Sequence, residues 1–273
     1  MFVRILTGIV LILITVVLLL TGVAAVGIIT ALFTVIGVNE IYGGAKKDGY
    51  RPLRFFSLLF AVPIILYTVN SEYNYFSICI YIISALILFI TIIKNSGYSI
   101  TDAFITAGSG IIISNMFYCI LAVYKIGNGK TEAALLLILI LIGACITDIS
   151  AYFVGVTIGR HKLCPGISPK KSVEGSIGGI LFVTLGMTLY GMLVLNKNIE
   201  AFKNVSIYSY IVLGLICGVV SQIGDLTASM VKRQFDIKDF GKILPGHGGI
   251  MDRFDSFVFV TPVIYFFVKE WIM

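Results

Sequence analysis

At 273 residues, with 58% hydrophobic and only 12% charged side chains, the chain is too apolar to be an ordinary soluble domain. Its apolar runs approach bilayer length throughout, and stretches such as 135–142 are apolar on every side. A transmembrane barrel would alternate apolar and polar residues, so the expected architecture is all-α: a polytopic helical bundle in a membrane. The net charge of +6 would suggest nucleic acid in a soluble protein. In a membrane protein the gathering of Lys and Arg on one side accounts for it, and no nucleic-acid partner is expected. Five cysteines with no CxxC pair, four of them in apolar runs, argue against a disulfide framework or a zinc site.

The run 3–20, with Arg4 before it and Ala24-Ala25 after it, has the outline of a signal peptide. Hydrophobicity resumes after Thr21-Gly22 through Val38, however, so two packed helices are expected there, the second ended by Glu40. The segment 42–54, with Lys46, Lys47, Arg51 and Arg54, is the first polar loop. Further spans fall at 55–69, 75–93, 101–124, 133–156, 176–195, 207–230 and 256–272, giving about nine helices by the length criterion. The polar pair Ser114-Asn115 and the shortness of some spans leave eight or ten open. With about nine helices, one side holds all 20 Lys and Arg except Arg4, Lys125, Lys130, Lys197, Lys203 and Lys269. By the positive-inside rule that side is cytoplasmic, which puts the loops 157–175 and 231–255 where nucleotides are. No linker or internal repeat is visible, so 1–273 reads as one membrane domain, with N-terminal helices to about 130 and a catalytic half from about 131 onward.

Charge concentrates at 229–255, at the end of a long apolar segment. Asp252 and Asp255, with Asp225 just upstream, are hard oxygen ligands. Lys232, Arg233, Lys238, Lys242 and Arg253 are cations, and Gly246, Gly248 and Gly249 let a backbone approach a ligand closely. This is the chemistry of a phosphate and magnesium site at a membrane edge. Carboxylates inside apolar helices are costly and usually mark function; Asp148 and Asp225 are the two clear cases. Gly214, Gly218, Ser221, Asp225 and Ser229 form one small, polar stripe, and Ala144, Asp148, Ala151, Gly155 and Gly159 another. The economical expectation is that the stripes face a shared cavity, while Gly214 and Gly218 form a GxxxG pair that permits close helix contact, including a homodimer. In the loop 157–175, Arg160, Lys162, Lys170 and Lys171 can neutralise phosphates, Pro165 and Pro169 stiffen the chain, and Gly166 permits a turn.

The run Ser229-x-Val231-Lys232-Arg233, then Lys238-Asp239-x-Gly241, then Pro245-x-His247-Gly248-Gly249-Ile250-x-Asp252-Arg253-Phe254-Asp255 resembles the signature of phosphatidate cytidylyltransferases, also called CDP-diacylglycerol synthases. Asp148-x-x-Ala151-Tyr152-x-x-Gly155 and Ser168-Pro169-Lys170-Lys171-x-x-Glu174-Gly175 look like the same family. The resemblance is dense over the C-terminal half and rests on hydropathy alone in the N-terminal half. Many members have Thr-Trp where this chain has Ser172-Val173, which keeps the hydroxyl and loses an aromatic.

The resemblance implies that CTP and phosphatidic acid become CDP-diacylglycerol and pyrophosphate with Mg2+, in a prokaryotic cytoplasmic membrane. Asp225 and Asp252 would then hold the metal or a metal pair, with Asp148 and Asp255 as further ligands and room for a second cation. Lys232 and Arg253 join Asp225 and Asp252 as the catalytic set. Ser168, Lys170, Lys171, Glu174, Ser221, Ser229, Arg233, Lys238, Asp239, His247, Gly248 and Gly249 would contact the substrates. Two alternatives stay open: a CTP-dependent polyprenol or phytol kinase, and an ion-coupled secondary transporter, which also uses midplane carboxylates.

Overall fold

The computed structural model describes residues 22–94, 97–246 and 248–272; the span expected at 3–20 and the candidate His247 lie outside them. Every other expected span is a helix. In chain order these are α1 (Val23–Lys47), α2 (Phe56–Val69), α3 (Asn74–Lys94), α4 (Ile100–Ile126), α5 (Lys130–Ile158), α6 (Val173–Asn198), α7 (Ile207–Gln234), the short α8 (Met251–Phe254) and α9 (Phe257–Ile272). Among the described residues, α1, α4, α5, α6 and α7 are long and apolar enough to cross a membrane. The protein is therefore an all-α integral membrane protein. Its one sheet among the described residues is a hairpin of β1 (Lys162–Cys164) and β2 (Ser168–Ser172), in the loop that follows α5.

Two readings change. The second expected helix does not stop at Glu40: α1 continues to Lys47, because Glu40 is buried among polar partners and Lys46 and Lys47 suit the negative end of a helix. Nor does the polar pair Ser114-Asn115 break α4. Ser114 donates to the carbonyl of Phe60 at 2.5 Å and meets the Tyr81 hydroxyl at 2.9 Å, so its polarity links helices instead of ending one.

The chain forms two compact units, Met1–Leu121 with Val231–Phe254, and Ala122–Met230 with Asp255–Met273. In the first, Phe56, Phe60, Leu88 and Ala103 make a core of α2, α3 and α4 residues. Tyr42 donates to the carbonyl of Thr106 at 2.8 Å, which ties α1 to α4. The rings of Phe33, Phe117 and Phe254 meet at 5.2 to 5.9 Å between centroids, which anchors α8 against α1 and α4.

In the second unit α6 is the central helix. Gly214 and Gly218 of α7 lie against its backbone: an added Cβ would come within 2.5 Å of the Cα of Thr184 and 2.9 Å of that of Ile180. The expected close contact is thus made within the chain, and these two glycines are not available to a homodimer. On its other side α6 takes up the small residues of α5, since Gly155 and Gly175 would touch across the contact and Gly179 meets Ala151. The glycine-bearing part of each stripe packs on α6, while Asp148 and Asp225 lie within electrostatic reach of each other. Gly214→Ala is expected to cost about 1–3 kcal/mol by overpacking, read as a lower thermal midpoint in detergent.

Wide helical turns interrupt α5 at Ile142–Ile146 and α6 at Gly191–Leu195. The first lies just before Asp148, where such a turn shifts the face presented by everything after it. Gly143 in this turn packs under Met187, Val260 and Ile264.

Candidate active site

In the first unit the chain after α7 folds back on itself around Asp252. Its carboxylate, with only 3% of the side chain exposed, accepts from Lys232 Nζ at 3.0 Å, from the Phe240 N–H at 2.8 Å and from the Gly249 N–H at 2.9 Å. Lys232 also lies 5.2 Å from the centroid of the Phe240 ring. A buried carboxylate held by a cation and two backbone donors is fixed in orientation as well as charge. The loop from Gly241 to Gly249 closes through the Leu244 N–H, which donates to the carbonyl of Gly248 at 2.9 Å. Gly246 and Gly248 sit at φ +77 and +85, a region that L side chains rarely enter. A pocket of about 440 Å³ opens beside it, lined by Lys238, Asp239, Gly241, Lys242, Leu244, Pro245, Gly246, Gly248 and Arg253. Three cations against one carboxylate make it suitable for a polyanion.

Gly246 and Gly248 line the pocket, while Gly249 is turned toward Asp252. The N–H of Gly249 is already given to Asp252, and those of Ile250 and Met251 to the carboxylate of Glu40, at 3.0 and 2.9 Å. These backbone donors are spent within the protein, so the pocket's positive charge comes from its side chains. Glu40, 7% exposed on α1, holds this loop and was not singled out as a site candidate by the sequence reading. The signal was there: it is a carboxylate inside an apolar helix.

In the second unit the hairpin carries Lys171 to Asp225 of α7, where they form an ion pair with each side chain 24% exposed. Asp148 accepts from the Ser256 hydroxyl at 2.5 Å and lies within electrostatic reach of both Asp225 and Lys171. Asp255 accepts from the N–H of Ser256 at 2.9 Å, and its carbonyl packs on Gly224, one residue before Asp225. One turn earlier on α7, the Ser221 hydroxyl is fully buried and has no hydrogen-bond partner among the described residues. An unsatisfied oxygen and carboxylates on adjacent turns make an all-oxygen donor set, the kind that suits Mg2+. Among the described residues no three His, Cys, Asp or Glu side chains gather into a cage by themselves. Oxygen donors of this kind are the type that magnesium takes alongside water or substrate phosphates.

Other candidates have supporting places. Ser172 caps α6, accepting from the N–H of Gly175 at 3.2 Å, so the hydroxyl at this position has a structural use. Glu174 accepts from the N–H groups of Arg160 and His161 and contacts His161 Nδ1 at 2.6 Å, which pins the base of the hairpin. Ser168 pairs with Cys164 across the hairpin, and Lys170 is exposed on β2. Ser229 is half-buried on α7, and Arg233 is exposed in its last turn.

Half-buried and buried carboxylates paired with lysines, beside loops rich in Lys and Arg on membrane-spanning helices, define the class: an integral membrane protein with charged sites at the ends of its helices. The chain belongs to the cytidylyltransferase family, whose sequence model matches residues 2–271. It is 50% identical over 121 residues to a Bacillus subtilis (strain 168) protein named phosphatidate cytidylyltransferase, a match covering 44% of this chain and 42% of that protein. A Staphylococcus saprophyticus protein of the same name is 34% identical over 206 residues, 67% of this chain and 76% of the relative. One from Staphylococcus aureus (strain COL) is 37% identical over 180 residues, 60% of this chain and 66% of the relative. The matched stretch thus spans less than half of the Bacillus protein and two thirds or more of only some relatives.

Proposed function

We propose that the protein is a membrane nucleotidyltransferase that joins CTP to phosphatidic acid, giving CDP-diacylglycerol and pyrophosphate for phospholipid biosynthesis. The observation that carries this reading is membership of the cytidylyltransferase family over residues 2–271, with relatives named phosphatidate cytidylyltransferase. In the reaction an oxygen of the lipid phosphate forms a bond to the α-phosphorus of CTP, and the bond from that phosphorus to the pyrophosphate oxygen breaks. The ionised lipid phosphate is already a nucleophile, so the protein's work is alignment and charge stabilisation.

The cationic pocket beside Asp252 takes the phosphates of CTP, with Lys238, Lys242 and Arg253 offsetting their charge. Lys232 neutralises Asp252 and holds its orientation. In the other unit Lys171, on the hairpin that also carries Lys170, pairs with Asp225 and aligns it. Asp225, Asp148, Asp255 and Ser221 there are the oxygen donors that would hold Mg2+. Bound magnesium supplies charge neutralisation for the phosphates. The acyl chains stay in the bilayer while CTP arrives from the cytoplasm, the side to which the positive-inside rule assigns both basic loops.

Label placement separates this reading from a CTP-dependent lipid kinase. Label at the α-phosphate of CTP should enter the lipid fraction and label at the γ-phosphate should not; the reverse result would identify a kinase. Substrate counterflow in proteoliposomes without CTP would instead identify a transporter.

A further inference from the structure

Glu40 lies outside every motif that marks the site, yet it touches both ends of the loop that forms the cationic pocket. Its carboxylate accepts from the N–H groups of Ile250 and Met251 at 3.0 and 2.9 Å. It also fills the space beside Gly241 and Gly249, where a Cβ on either glycine would collide with it. Gly241 and Gly249 are the points at which the loop leaves and returns. Between them the Leu244 and Gly248 backbones pair, and Lys242, Leu244 and Pro245 line the pocket. Together with Asp252, which takes the Gly249 N–H, Glu40 consumes three successive backbone donors at the start of α8.

We propose that Glu40 is a positioning residue, a clasp on the neck of the 241–249 loop that sets the pocket for CTP and the approach of Asp252. The residue type follows from the geometry. Two adjacent N–H donors need two acceptor oxygens on one planar group, and a carboxylate provides them, whereas an amide has one oxygen and would turn its own NH2 toward the second donor. A buried charge is tolerated here because both oxygens are hydrogen-bonded. A helix-borne side chain is also a rigid post, since α1 is held to α4 through Tyr42 and Thr106.

The CTP assignment rests on the function proposed above, so the test has two arms. The first is hydrogen exchange in the full-length protein. Glu40→Ala should speed exchange of the Ile250 and Met251 amides while the amides of α2, α3 and α4 keep their protection. The second is kinetic. Glu40→Ala should raise the KM for CTP by about 10- to 100-fold, as loss of an outer support does, with the KM for phosphatidic acid within about twofold of the parent value. Glu40→Gln, which keeps one acceptor, should fall between the parent and Glu40→Ala in both arms. Unchanged exchange at Ile250 and Met251 would overturn the clasp. So would faster exchange throughout α1–α4 with an equal loss of activity at any CTP concentration, since that is plain destabilisation. A parent protein that makes no cytidine-bearing lipid would overturn the functional reading alone; the clasp would still be decided by exchange.

Discussion

Asp252→Asn is expected to lower formation of cytidine-bearing lipid by about two to three orders of magnitude, the usual cost of removing one well-placed electrostatic group. In the structure both oxygens of Asp252 are engaged, one by Lys232 and the other by the Phe240 and Gly249 N–H groups. The amide has one acceptor oxygen and places two N–H donors among donors, which also leaves Lys232 without its counter-charge. Breaking a buried pair in this way costs about 3–5 kcal/mol of stability, so lost activity in the single variant could have two causes. Adding Lys232→Met separates them. The double variant should regain much of the thermal midpoint lost by Asp252→Asn, yet remain inactive. Near-parental turnover in Asp252→Asn would refute the role given to the carboxylate.

Asp225→Asn is expected to cause a comparable loss of turnover, about 100-fold or more, with a much smaller change in stability. Asp225 and Lys171 are each a quarter exposed, so water screens their attraction and the pair contributes about 1 kcal/mol or less to the fold. Lys171→Met should reduce turnover less than Asp225→Asn, because Lys170 and Lys162 on the same hairpin still supply positive charge. The assay is product formation together with thermal unfolding of each variant. Parental activity in Asp225→Asn would remove it from the site. A large fall in its thermal midpoint would show the pair to be structural.

The membrane spans were legible because burial in lipid demands long, uniformly apolar runs, and no tertiary contact is needed to read them. α5 and α7 lie close to the expected 133–156 and 207–230, each extended by a few residues into polar ends. The helix-packing use of Gly214 and Gly218 was legible for the same kind of reason, since small residues four apart can only serve close approach. What they would approach was not legible. The stripes on α5 and α7 carry no mark naming α6 as the helix that takes up their glycines.

Glu40 was hidden for a deeper reason. Its partners are backbone N–H groups 210 and 211 residues further along, and backbone groups have no sequence identity to complement. The two lysines following it made a helix end the simpler reading, although an ionisable group within an apolar run should have argued for function. The hairpin at 162–172 was read as a basic loop because Pro165, Gly166 and Pro169 are turn residues. Pro165 and Gly166 do make the turn and Pro169 stands in β2, but the strands on either side are too short for a periodic pattern to appear. The wide turn before Asp148 leaves no compositional trace at all.

The most direct measurement is to incubate the purified protein with phosphatidic acid and CTP, with Mg2+ in one sample and EDTA in another, and to identify lipids by mass spectrometry alongside released pyrophosphate. The account predicts CDP-diacylglycerol and pyrophosphate in equal amounts with magnesium and neither with EDTA. Absence of a cytidine-bearing lipid in both samples, or equal yields in the two, would contradict it.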